Sequence, residues 1–270
     1  MDLGLRNRAA IITGTNNPQG IGATTALAFA REGVRLALIY KKIPHKYDES
    51  KAGSDGFDRY FKANSGDMTE VEKQLQAFNA EYFVLESDIS NERNVQEIFD
   101  RVIMRFGKVD ILVNNAAAAD DGDNDTIETI TQSVIDGTFA VNVRGTLLMT
   151  REFVRRRGDY GRVINISTDA AQAFPGMQIA YSASKAAIEA FTRNIAIGIG
   201  KYGITVNCVA PGPTQTGWID NELTNAVVPE IPLGKLIRPQ EIAETIVFLA
   251  SERAAMVTGQ VVKVSGGHAL

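Results

Sequence analysis

The stretch AAIITGTNNPQGIG, residues 9–22, decides the fold. Its first part, Ala9–Thr13, is apolar or β-branched without a break, which predicts a strand buried on both faces. The glycines that follow make a tight turn, and the Ala- and Leu-rich residues 20–32 predict a helix. A glycine turn between a strand and a helix favours a nucleotide site, because the free N–H groups at a helix N-terminus attract phosphate. A purely structural turn is the alternative.

The same alternation of strand and helix continues to the end of the chain. It predicts a parallel sheet covered by helices on both faces, that is, an α/β doubly wound fold. No linker or change of composition divides the 270 residues, so a single domain over 1–270 is expected. Residues 43–68 are polar and rich in Gly, Ser, Asp and Lys, which predicts an exposed insertion with little structure. Seven strands are predicted, at 9–13, 34–40, 82–86, 109–113, 162–166, 204–209 and 260–264, with helices at 20–32, 70–80, 91–106, 135–157, 180–201 and 239–250.

Composition and charge narrow the classes of partner. Hydrophobic residues make up 44% of the chain and charged residues 22%, as in a soluble globular protein. The net charge of −4 argues against nucleic acid as a partner, because phosphate binding needs clustered basic charge. No apolar run approaches the roughly 20 residues of a membrane span, and no signal peptide is expected at the N-terminus. With Cys208 as the only cysteine, an intramolecular disulfide is excluded and the cytoplasm is the expected compartment.

No metal site is expected. The two histidines, His45 and His268, are far apart in the sequence, and no Cys/His cluster exists. The acids of residues 121–125 are spaced as in a calcium loop, but Thr126 and Gln132 occupy the positions that need Gly and a bidentate Glu. This segment is therefore predicted to be a solvated loop beside the cleft.

The end of the second strand bears on the choice of cofactor. An acidic residue there would bond both ribose hydroxyls and repel a 2′-phosphate. This chain has Tyr40 followed by Lys41 and Lys42, a basic pair without a carboxylate, which suits a 2′-phosphate. NADP(H) is therefore favoured, and NAD(H) stays open. The alternative is that the two lysines are only a solvated strand end.

Tyr181 and Lys185 stand at positions i and i+4 at the start of a predicted helix. That spacing places the phenol and the ammonium on one helical face, where both can enter one cleft. A free tyrosine has a pKa of about 10, and a nearby cation lowers that pKa by stabilising the phenolate. Tyr181 can then exchange a proton with a carbonyl or alcohol oxygen. The spacing alone is common by chance, so it gains meaning only together with the glycine loop.

These motifs together resemble the short-chain dehydrogenase/reductase family, closest in pattern to its 3-oxoacyl-acyl-carrier-protein reductases. The resemblance also rests on residues 114–117, NNAA, which are similar to the family's NNAG motif, and on the PG loop at Pro211. It spans nearly the whole chain and leaves residues 43–68 uncovered. It implies a Rossmann fold, an oxidoreductase acting on carbonyl or alcohol groups, and a homotetramer assembled through helices 135–157 and 180–201.

The chain departs from the family pattern in two places that bear on the site. Five residues separate Gly14 from Gly20, where the family usually has three, so the phosphate cradle is expected to keep its role with a changed shape. Thr168 stands where the family has a serine that holds the substrate oxygen, and Ser167 precedes it. Neighbouring strand residues face opposite sides, so only one of these hydroxyls is expected to reach the site, and Thr168 is favoured.

By the resemblance, four residues carry the chemistry. Tyr181 transfers the proton, Lys185 tunes Tyr181 and binds the nicotinamide ribose, and Thr168 orients the substrate. Asn142 holds a water that resupplies the proton, although a helix kink is the structural alternative for an asparagine in mid-helix. The cofactor contacts that the glycine turn, the strand ends and the resemblance imply are Gly14, Asn16, Asn17, Gly20, Ile21, Tyr40, Lys41, Asp88, Ile89, Asn115, Ala116, Tyr181, Lys185, Pro211, Gly212, Thr214 and Thr216.

The resemblance implies hydride transfer between NADP(H) and a small-molecule ketone or alcohol, for example a 3-oxoacyl thioester. Steroid and sugar dehydrogenases stay open, whereas an enoyl reductase is disfavoured because that branch spaces its Tyr and Lys more widely. A catalytically silent NADP(H)-binding sensor is the alternative from another class, and four intact catalytic positions argue against it. Residues 217–234 are the expected substrate lid, in which Trp218, Ile219 and Leu223 predict a partly apolar pocket.

Overall fold

The computed structural model describes residues 2–119, 125–170 and 176–269. The strands are β1 (Ala9–Thr13), β2 (Arg35–Tyr40), β3 (Tyr82–Glu86), β4 (Ile111–Asn114), β5 (Gly161–Ile166), β6 (Ile204–Pro211) and β7 (Val261–Val264). They form one sheet in the order β3-β2-β1-β4-β5-β6-β7, and all neighbouring strands run parallel. The predicted α/β doubly wound fold is confirmed.

Helices connect the strands and cover the sheet. Within the part of the chain that the structure describes, no helix is long and apolar enough to cross a membrane. The same residues contain no group of three or more His, Cys, Asp or Glu side chains placed to hold a metal ion. The α-helices are α1 (Ile21–Arg31), α2 (Phe57–Ser65), α3 (Thr69–Gln76), α4 (Glu92–Phe106), α5 (Gln132–Phe139), α6 (Thr146–Arg155), α7 (Ile179–Ile199), α8 (Asn221–Val227) and α9 (Pro239–Ala250).

The sheet is buried on both faces, which explains the unbroken apolar run of β1. Successive side chains of a strand point to opposite faces. Ala10 and Ile12 therefore pack in one hydrophobic core with residues of α1 and α9. Ala9 and Ile11 pack in a second core with residues of α4 and α6. Each face of the strand has its own helical cover, so the first four residues of β1 are all apolar.

The strand order reverses at the centre of the sheet. The chain runs outward from β1 through β2 to β3, and then returns to β4 on the other side of β1. Such a reversal leaves a crevice outside the carboxyl ends of the two central strands. The glycine turn follows β1 and the NNAA segment follows β4, so both meet at this crevice.

The predicted helix 135–157 is interrupted. α5 ends at Phe139, α6 begins at Thr146, and Ala140–Gly145 between them form a π-helical turn. A π turn adds one residue to the helical turn and is frequent at functional sites. Hydrophobic periodicity over the whole stretch fits a continuous helix nearly as well, so the sequence does not locate the interruption. The turn places Asn142 inside the protein with 0% of its surface exposed.

The prediction of little structure for residues 43–68 is wrong. Phe57–Ser65 form α2, and both Ala52 and Met68 are buried. The segment is polar in composition, but its aromatic residues recur at helical spacing. These residues give α2 an apolar face that can pack against neighbouring residues. The segment is an insertion between β2 and α3, as expected, but it is folded.

Contacts within this insertion fix its two ends to each other. The backbone N–H of Ile43 donates to the carbonyl of Asn64 at 3.1 Å, and the Ser65 hydroxyl donates to the carbonyl of Ile43 at 2.8 Å. The ring of His45 stacks on Phe61 with centroids 4.6 Å apart. Joined ends and an internal side-chain core are the features of a compact Ω-type loop.

Candidate active site

The turn between β1 and α1 depends on glycine. Gly14 has a φ of +71°, a left-handed conformation that residues with side chains rarely adopt. A Cβ on Gly22 would lie 2.6 Å from the side-chain amide nitrogen of Asn115, so only glycine lets α1 approach this closely. Gly20 precedes α1 and leaves the first N–H groups of the helix, including that of Ile21, without a side-chain cap. A helix N-terminus left open in this way fits a pyrophosphate.

Asn115 holds the glycine turn against the end of β4. Its side-chain amide donates to the carbonyls of Thr13 at 2.9 Å and Gly14 at 2.8 Å. In return, the Thr13 hydroxyl accepts the backbone N–H groups of Asn115 at 3.0 Å and Ala116 at 2.9 Å. Both donors of the Asn115 side chain are thus used within the protein. Thr13 was not predicted to belong to the site, and its position as the last residue of β1 is the signal that could have identified it.

Asn16 and Asn17 use their side chains to hold other loops. Asn16 donates from Nδ2 to the carbonyls of Asn64 at 2.9 Å and Gly66 at 3.1 Å, at the end of the insertion. Asn17 donates from Nδ2 to the carbonyl of Thr216 at 3.0 Å, beside the lid. Because the side chains are engaged, only the backbone of this part of the turn is left for a cofactor phosphate.

The basic pair after β2 is balanced by carboxylates. Lys41 lies 2.6 Å from Asp88, and Lys42 lies 4.0 Å from Glu86. Asp88 also accepts the backbone N–H of Ser90 at 2.8 Å and its hydroxyl at 2.6 Å. Burial by itself raises the pKa of Asp88, but the hydrogen bonds from Lys41 and Ser90 outweigh it and lower the pKa. Lys41, expected at the 2′-phosphate, therefore contacts Asp88, which was also predicted to bind the cofactor.

Tyr40 and Ile89, both predicted cofactor contacts, pack against different hydrophobic cores of the sheet. Burial raises the pKa of Tyr40, and the neighbouring Glu86 carboxylate raises it further, so the phenol stays neutral. Ile89 is 5% exposed and packs against Gly145, where a Cβ would lie 2.9 Å from its side chain. The side chain of Ile89 is thus mainly part of the core.

Tyr181 and Lys185 occupy the first turns of α7, as predicted. The Lys185 ammonium donates to the carbonyl of Ile166 at 2.8 Å and lies 5.4 Å from the centroid of the Tyr181 ring. Burial lowers the pKa of Lys185 to about 8. Burial also raises the pKa of Tyr181, and Tyr60 raises it further. Burial therefore outweighs the lowering of the Tyr181 pKa that was expected from the ammonium. The Tyr181 phenol stays protonated.

The side chains of Ser167 and Thr168 lie in different environments, as the alternation of side chains along a strand predicts. Ser167 is buried, and its hydroxyl donates to Glu189 Oε1 at 3.0 Å and to the carbonyl of Lys185 at 3.3 Å. Thr168 is more exposed and lies two residues after Ile166, the residue to which the ammonium is bonded. The Ser167 hydroxyl is committed to the core, which leaves the Thr168 hydroxyl for a substrate.

Asn142 connects the loop after β4 to the start of α7. Its Oδ1 accepts the backbone N–H of Ala118 at 2.7 Å, and its Nδ2 donates to the carbonyl of Ala118 at 2.8 Å and to Ser184 Oγ at 2.9 Å. Ser184 in turn donates to the carbonyl of Tyr181 at 2.7 Å. Both side-chain donors of Asn142 are used, so a water could be held only by its oxygen atoms. The π turn matches the helix kink that was the structural alternative for Asn142, and its water-holding role stays a prediction. Ser184, which was not predicted, is a direct partner of Asn142.

Asp125 caps the helix that carries Tyr181 and Lys185. It is 3% exposed, and its two carboxylate oxygens accept the backbone N–H of Ala180 at 2.9 and 3.1 Å. The prediction of a solvated loop is wrong for this residue, because a carboxylate is stabilised by the partial positive charge of a helix N-terminus. Residues 121–124, the rest of that loop, lie outside the described residues.

The PG loop after β6 is held by its own hydrogen bonds. Pro211 ends β6, and the buried Thr214 hydroxyl donates to the carbonyl of Gly212 at 2.7 Å. The carbonyl of Thr216 accepts the bond from the glycine loop, and the indole N–H of Trp218 donates to the carbonyl of Thr214 at 3.2 Å. The loop that leads into the lid is therefore tied to the turn after β1.

The carboxyl edge of the sheet thus gathers an uncapped helix N-terminus, a neutral phenol, a buried ammonium and a free hydroxyl. These groups can bind a pyrophosphate and protonate an oxygen in one crevice. The residues fit a nicotinamide dinucleotide, since glycine at 14, 20 and 22 lets the turn, Asn115 and α1 pack closely while the first N–H groups of α1 stay without a side-chain cap.

Known proteins are similar to this chain over most of its length. A family profile described as Enoyl-(Acyl carrier protein) reductase matches residues 54–269. The chain is 34% identical to (2S)-[(R)-hydroxy(phenyl)methyl]succinyl-CoA dehydrogenase subunit BbsD of Thauera aromatica, over 99% of both chains. It is 32% identical to NADPH-dependent aldehyde reductase 2, chloroplastic, of Arabidopsis thaliana, over 97% of this chain and 94% of that protein.

Two further comparisons cover the whole fold. The 3-oxoacyl-[acyl-carrier-protein] reductase FabG of Staphylococcus epidermidis is 31% identical over 97% of this chain and 98% of its own. A solved structure of a Serratia marcescens short-chain dehydrogenase/reductase variant has a TM-score of 0.82 at 26% identity, covering 98% of this chain and 99% of that one. With these relatives and the profile match, the chain belongs to the short-chain dehydrogenase/reductase family.

Proposed function

We propose that this protein is an NADP(H)-dependent carbonyl reductase, which transfers a hydride between NADP(H) and a ketone or alcohol. The observation that carries the proposal is the buried Lys185 ammonium, which is bonded to the end of β5 one helical turn from the Tyr181 phenol. Burying a lysine without a carboxylate partner is costly, so a functional reason for the group is expected. Oxidoreductase relatives that act on carbonyl or alcohol groups support the reaction class.

The proposed mechanism uses four side chains. When bound, the nicotinamide supplies the hydride, which no protein group can provide. Tyr181, kept neutral by burial, donates its proton to the carbonyl oxygen during reduction. Lys185, with a pKa of about 8, is still largely protonated at neutral pH and stabilises the phenolate left behind. Thr168 holds the same substrate oxygen, and an oxygen atom of Asn142 holds the water through which the proton returns.

NADP(H) is the proposed cofactor, with NAD(H) as the alternative. The absence of a carboxylate at residues 40–42 and the NADPH-dependent relative support the phosphorylated form. The Lys41–Asp88 contact weakens that support, because a 2′-phosphate would have to share the ammonium with the carboxylate. We assign the remaining cofactor contacts to the glycine turn, to the backbone of Asn115 and Ala116, and to the PG loop.

The proposed substrate is a 3-oxoacyl thioester or another ketone. The names of two relatives, those from Thauera aromatica and Staphylococcus epidermidis, give thioesters or carrier-bound acyl groups as their substrates, which supports the first choice. We also propose a homotetramer in the cytoplasm. The homotetramer is supported by an apolar groove between α5–α6 and α7, lined by residues that include Val143, Leu147, Ile195 and Ile199.

A substrate panel tests the function. NADPH and NADH oxidation should be measured with simple ketones, 3-oxoacyl thioesters and quinones, for the wild type and for Tyr181→Phe. We expect turnover with at least one ketone and a kcat about 10²–10⁴-fold lower in the variant, because the proton donor is removed. Tyr202→Phe, which alters a tyrosine that is 38% exposed, is the matched control and should keep wild-type turnover.

The same assay separates the enzyme from the sensor. A catalytically silent module would bind NADPH, seen as a change in nicotinamide fluorescence, and would consume none with any member of the panel. Near-full turnover in Tyr181→Phe would overturn the assignment of the proton donor.

A further inference from the structure

His268, near the end of the chain, is bonded to Asp169, the residue that follows Thr168. Its Nδ1 lies 2.8 Å from Asp169 Oδ2, and because a carboxylate can only accept, the imidazole proton lies on Nδ1. The Asp169 side chain is 2% exposed. Burial raises the pKa of Asp169, and the hydrogen bond from His268 offsets part of that rise. Loss of the imidazole would therefore leave a buried carboxylate without this partner.

Asp169 belongs to the segment that presents the Thr168 hydroxyl. The residues on either side of Thr168 both bond to β6 through their backbone N–H groups. That of Ser167 donates to the carbonyl of Val209 at 2.8 Å, and that of Asp169 to the carbonyl of Pro211 at 2.9 Å. Thr168 is thus held between two bonded neighbours, and the side chain of the second is held by His268.

The Asp169 carboxylate also contacts the PG loop. A Cβ on Gly212 would lie 3.0 Å from Asp169 Oδ2 and 2.8 Å from the Cα of Ser265, so this loop packs against both residues. The Gly212 N–H donates to the carbonyl of Val264 at 3.1 Å, at the end of β7. One carboxylate therefore adjoins both the segment that carries Thr168 and a loop with predicted cofactor contacts.

His268 also lies close to the lid. Its Nε2 is 3.8 Å from Glu230 Oε2, in the last part of the lid. The backbone N–H of Leu233 donates to the carbonyl of Gly266 at 3.1 Å, so the lid is bonded to the same C-terminal residues, 265–269. The imidazole thus stands between the lid and the segment after β5, in a bridge formed by Glu230, His268 and Asp169.

The bridge consists of residue types that also bind metals, but its geometry differs from a metal site. A metal ion needs its ligands to converge on one point. Here the imidazole lies between the two carboxylates, with Nδ1 toward Asp169 and Nε2 toward Glu230. In residues 2–119, 125–170 and 176–269, no group of three or more such side chains is placed to hold a metal ion. The arrangement therefore connects segments of the chain.

We propose that Asp169 and His268 are positioning residues, which hold the Thr168 hydroxyl, the PG loop and the end of the lid in one arrangement for catalysis. Asp169 acts through the backbone of Thr168, and His268 acts through Asp169 and Glu230. A small displacement of a group that orients the substrate lowers turnover steeply, so loss of the bridge should appear in kcat. The inference rests on the proposed carbonyl reductase function, in which Thr168 holds the substrate oxygen.

Two variants of His268 separate the hydrogen bond from the bulk of the ring. His268→Phe keeps a ring and removes both nitrogens, whereas the amide nitrogen in His268→Asn takes the place of Nδ1 and can still donate to Asp169. Steady-state kinetics use a ketone that the wild type reduces. We expect kcat to fall about 10-fold in His268→Phe with KM for NADPH unchanged, and to return to within about threefold of the wild type in His268→Asn. His45→Phe alters the other histidine, which stacks on Phe61, and should keep wild-type kinetics as the matched control.

Amide hydrogen exchange tests the bridge without turnover. The backbone N–H groups of Asp169 and Leu233 report on its two sides, because each is bonded across a junction that the bridge holds. We expect both to exchange about 10-fold faster in His268→Phe and at the wild-type rate in His268→Asn, while the N–H groups of β1 exchange equally in all variants. If His268→Phe does not fold, Asp169→Asn, which keeps the side-chain shape and removes its charge, replaces it in both measurements with the same direction of change.

The proposed function and the positioning role fail in different ways. If the exchange rates change as expected but the wild type reduces no ketone, the proposed function fails and the bridge between lid and loop stands. If His268→Phe keeps the wild-type kcat, the pair is at most structural and the positioning role is overturned, whatever the exchange rates. A kcat that stays equally low in His268→Asn would overturn it too, because the bond to Asp169 would not be the cause.

Discussion

Lys185 is the residue where burial and charge conflict most directly. It is 2% exposed, and its ammonium donates to a backbone carbonyl rather than to a carboxylate. Burial lowers its pKa to about 8 from an ordinary 10.5, so between these pH values the unfolded chain binds more protons than the folded chain. Stability from this site therefore rises with pH across that window. The same pKa keeps the ammonium available at neutral pH, where the chemistry needs it.

Unfolding of Lys185→Met against pH tests this residue. We expect the free energy of unfolding of the wild type, relative to the variant, to increase from pH 8 to pH 10, measured by urea denaturation at several pH values. Burial also raises the pKa of Cys208 to about 12, and this thiol titrates in both proteins, so it largely cancels in the difference. A difference that does not change with pH would contradict the lowered pKa.

Substitution of Lys41 tests the proposed preference for NADP(H). If its ammonium binds the 2′-phosphate, Lys41→Ala should raise KM for NADPH about 10-fold and leave KM for NADH unchanged, because only NADPH loses a charge-assisted bond. Steady-state kinetics with both cofactors measure the ratio. Lys51→Ala removes a lysine side chain that is 72% exposed, and should change neither value. Equal changes in KM for NADPH and for NADH would show that Lys41 acts only through its contact with Asp88.

At the scale of elements, α7 depends on a cap from a distant part of the chain. Asp125 lies more than fifty residues before Ala180, whose N–H its carboxylate accepts. This contact fixes the first turn of the helix, where Tyr181 stands. Local sequence around α7 shows no capping residue, because Gln178 at that position has a φ of +51° and forms no side-chain cap.

Asp125→Ala should therefore destabilise the protein by about 1–2 kcal/mol, the usual cost of losing a helix cap. It should also lower kcat, because the helix start carries the catalytic phenol. Urea unfolding and turnover measure the two effects, and Asp125→Asn, which retains an acceptor, should lose less of both. Asp159→Ala, at an exposed aspartate, is the control. Wild-type stability in Asp125→Ala would show that the cap contributes nothing.

The sequence predicts these elements unevenly, for physical reasons. Strands such as β1 and β5 are buried on both faces, so their apolar runs reveal them within one residue. The pair Tyr181 and Lys185 was predicted from helical spacing taken together with the glycine loop, both of which are local patterns. The π turn, the cap by Asp125 and the bond from Asn142 to Ser184 depend on contacts between distant segments, which no local pattern encodes. The insertion was wrongly predicted to have little structure, because its composition is polar while its packing depends on a few aromatic rings.

At the scale of the whole molecule, the longer glycine turn, the insertion and residues 216–217 at the start of the lid form one connected region. They are bonded pairwise, through Asn16, Asn17 and Gly56. Each of these bonds is accepted by a backbone carbonyl outside the sheet, and none involves a strand. We therefore expect a change of loop length here to alter the cleft without altering the sheet.

The groove between α5–α6 and α7 bears on the proposed oligomeric state. It is apolar, and Leu147, which lines it, is 38% exposed. If two copies pack there, as the proposed homotetramer requires, Leu147→Lys would bury an unpaired charge beside Arg144 and Arg151, which line the same groove. Sedimentation velocity should then show a smaller species than the wild type, with unchanged circular dichroism. Met104→Lys, at a methionine on α4 that is 83% exposed, should keep the wild-type mass. If Leu147→Lys also keeps it, this face is not the interface.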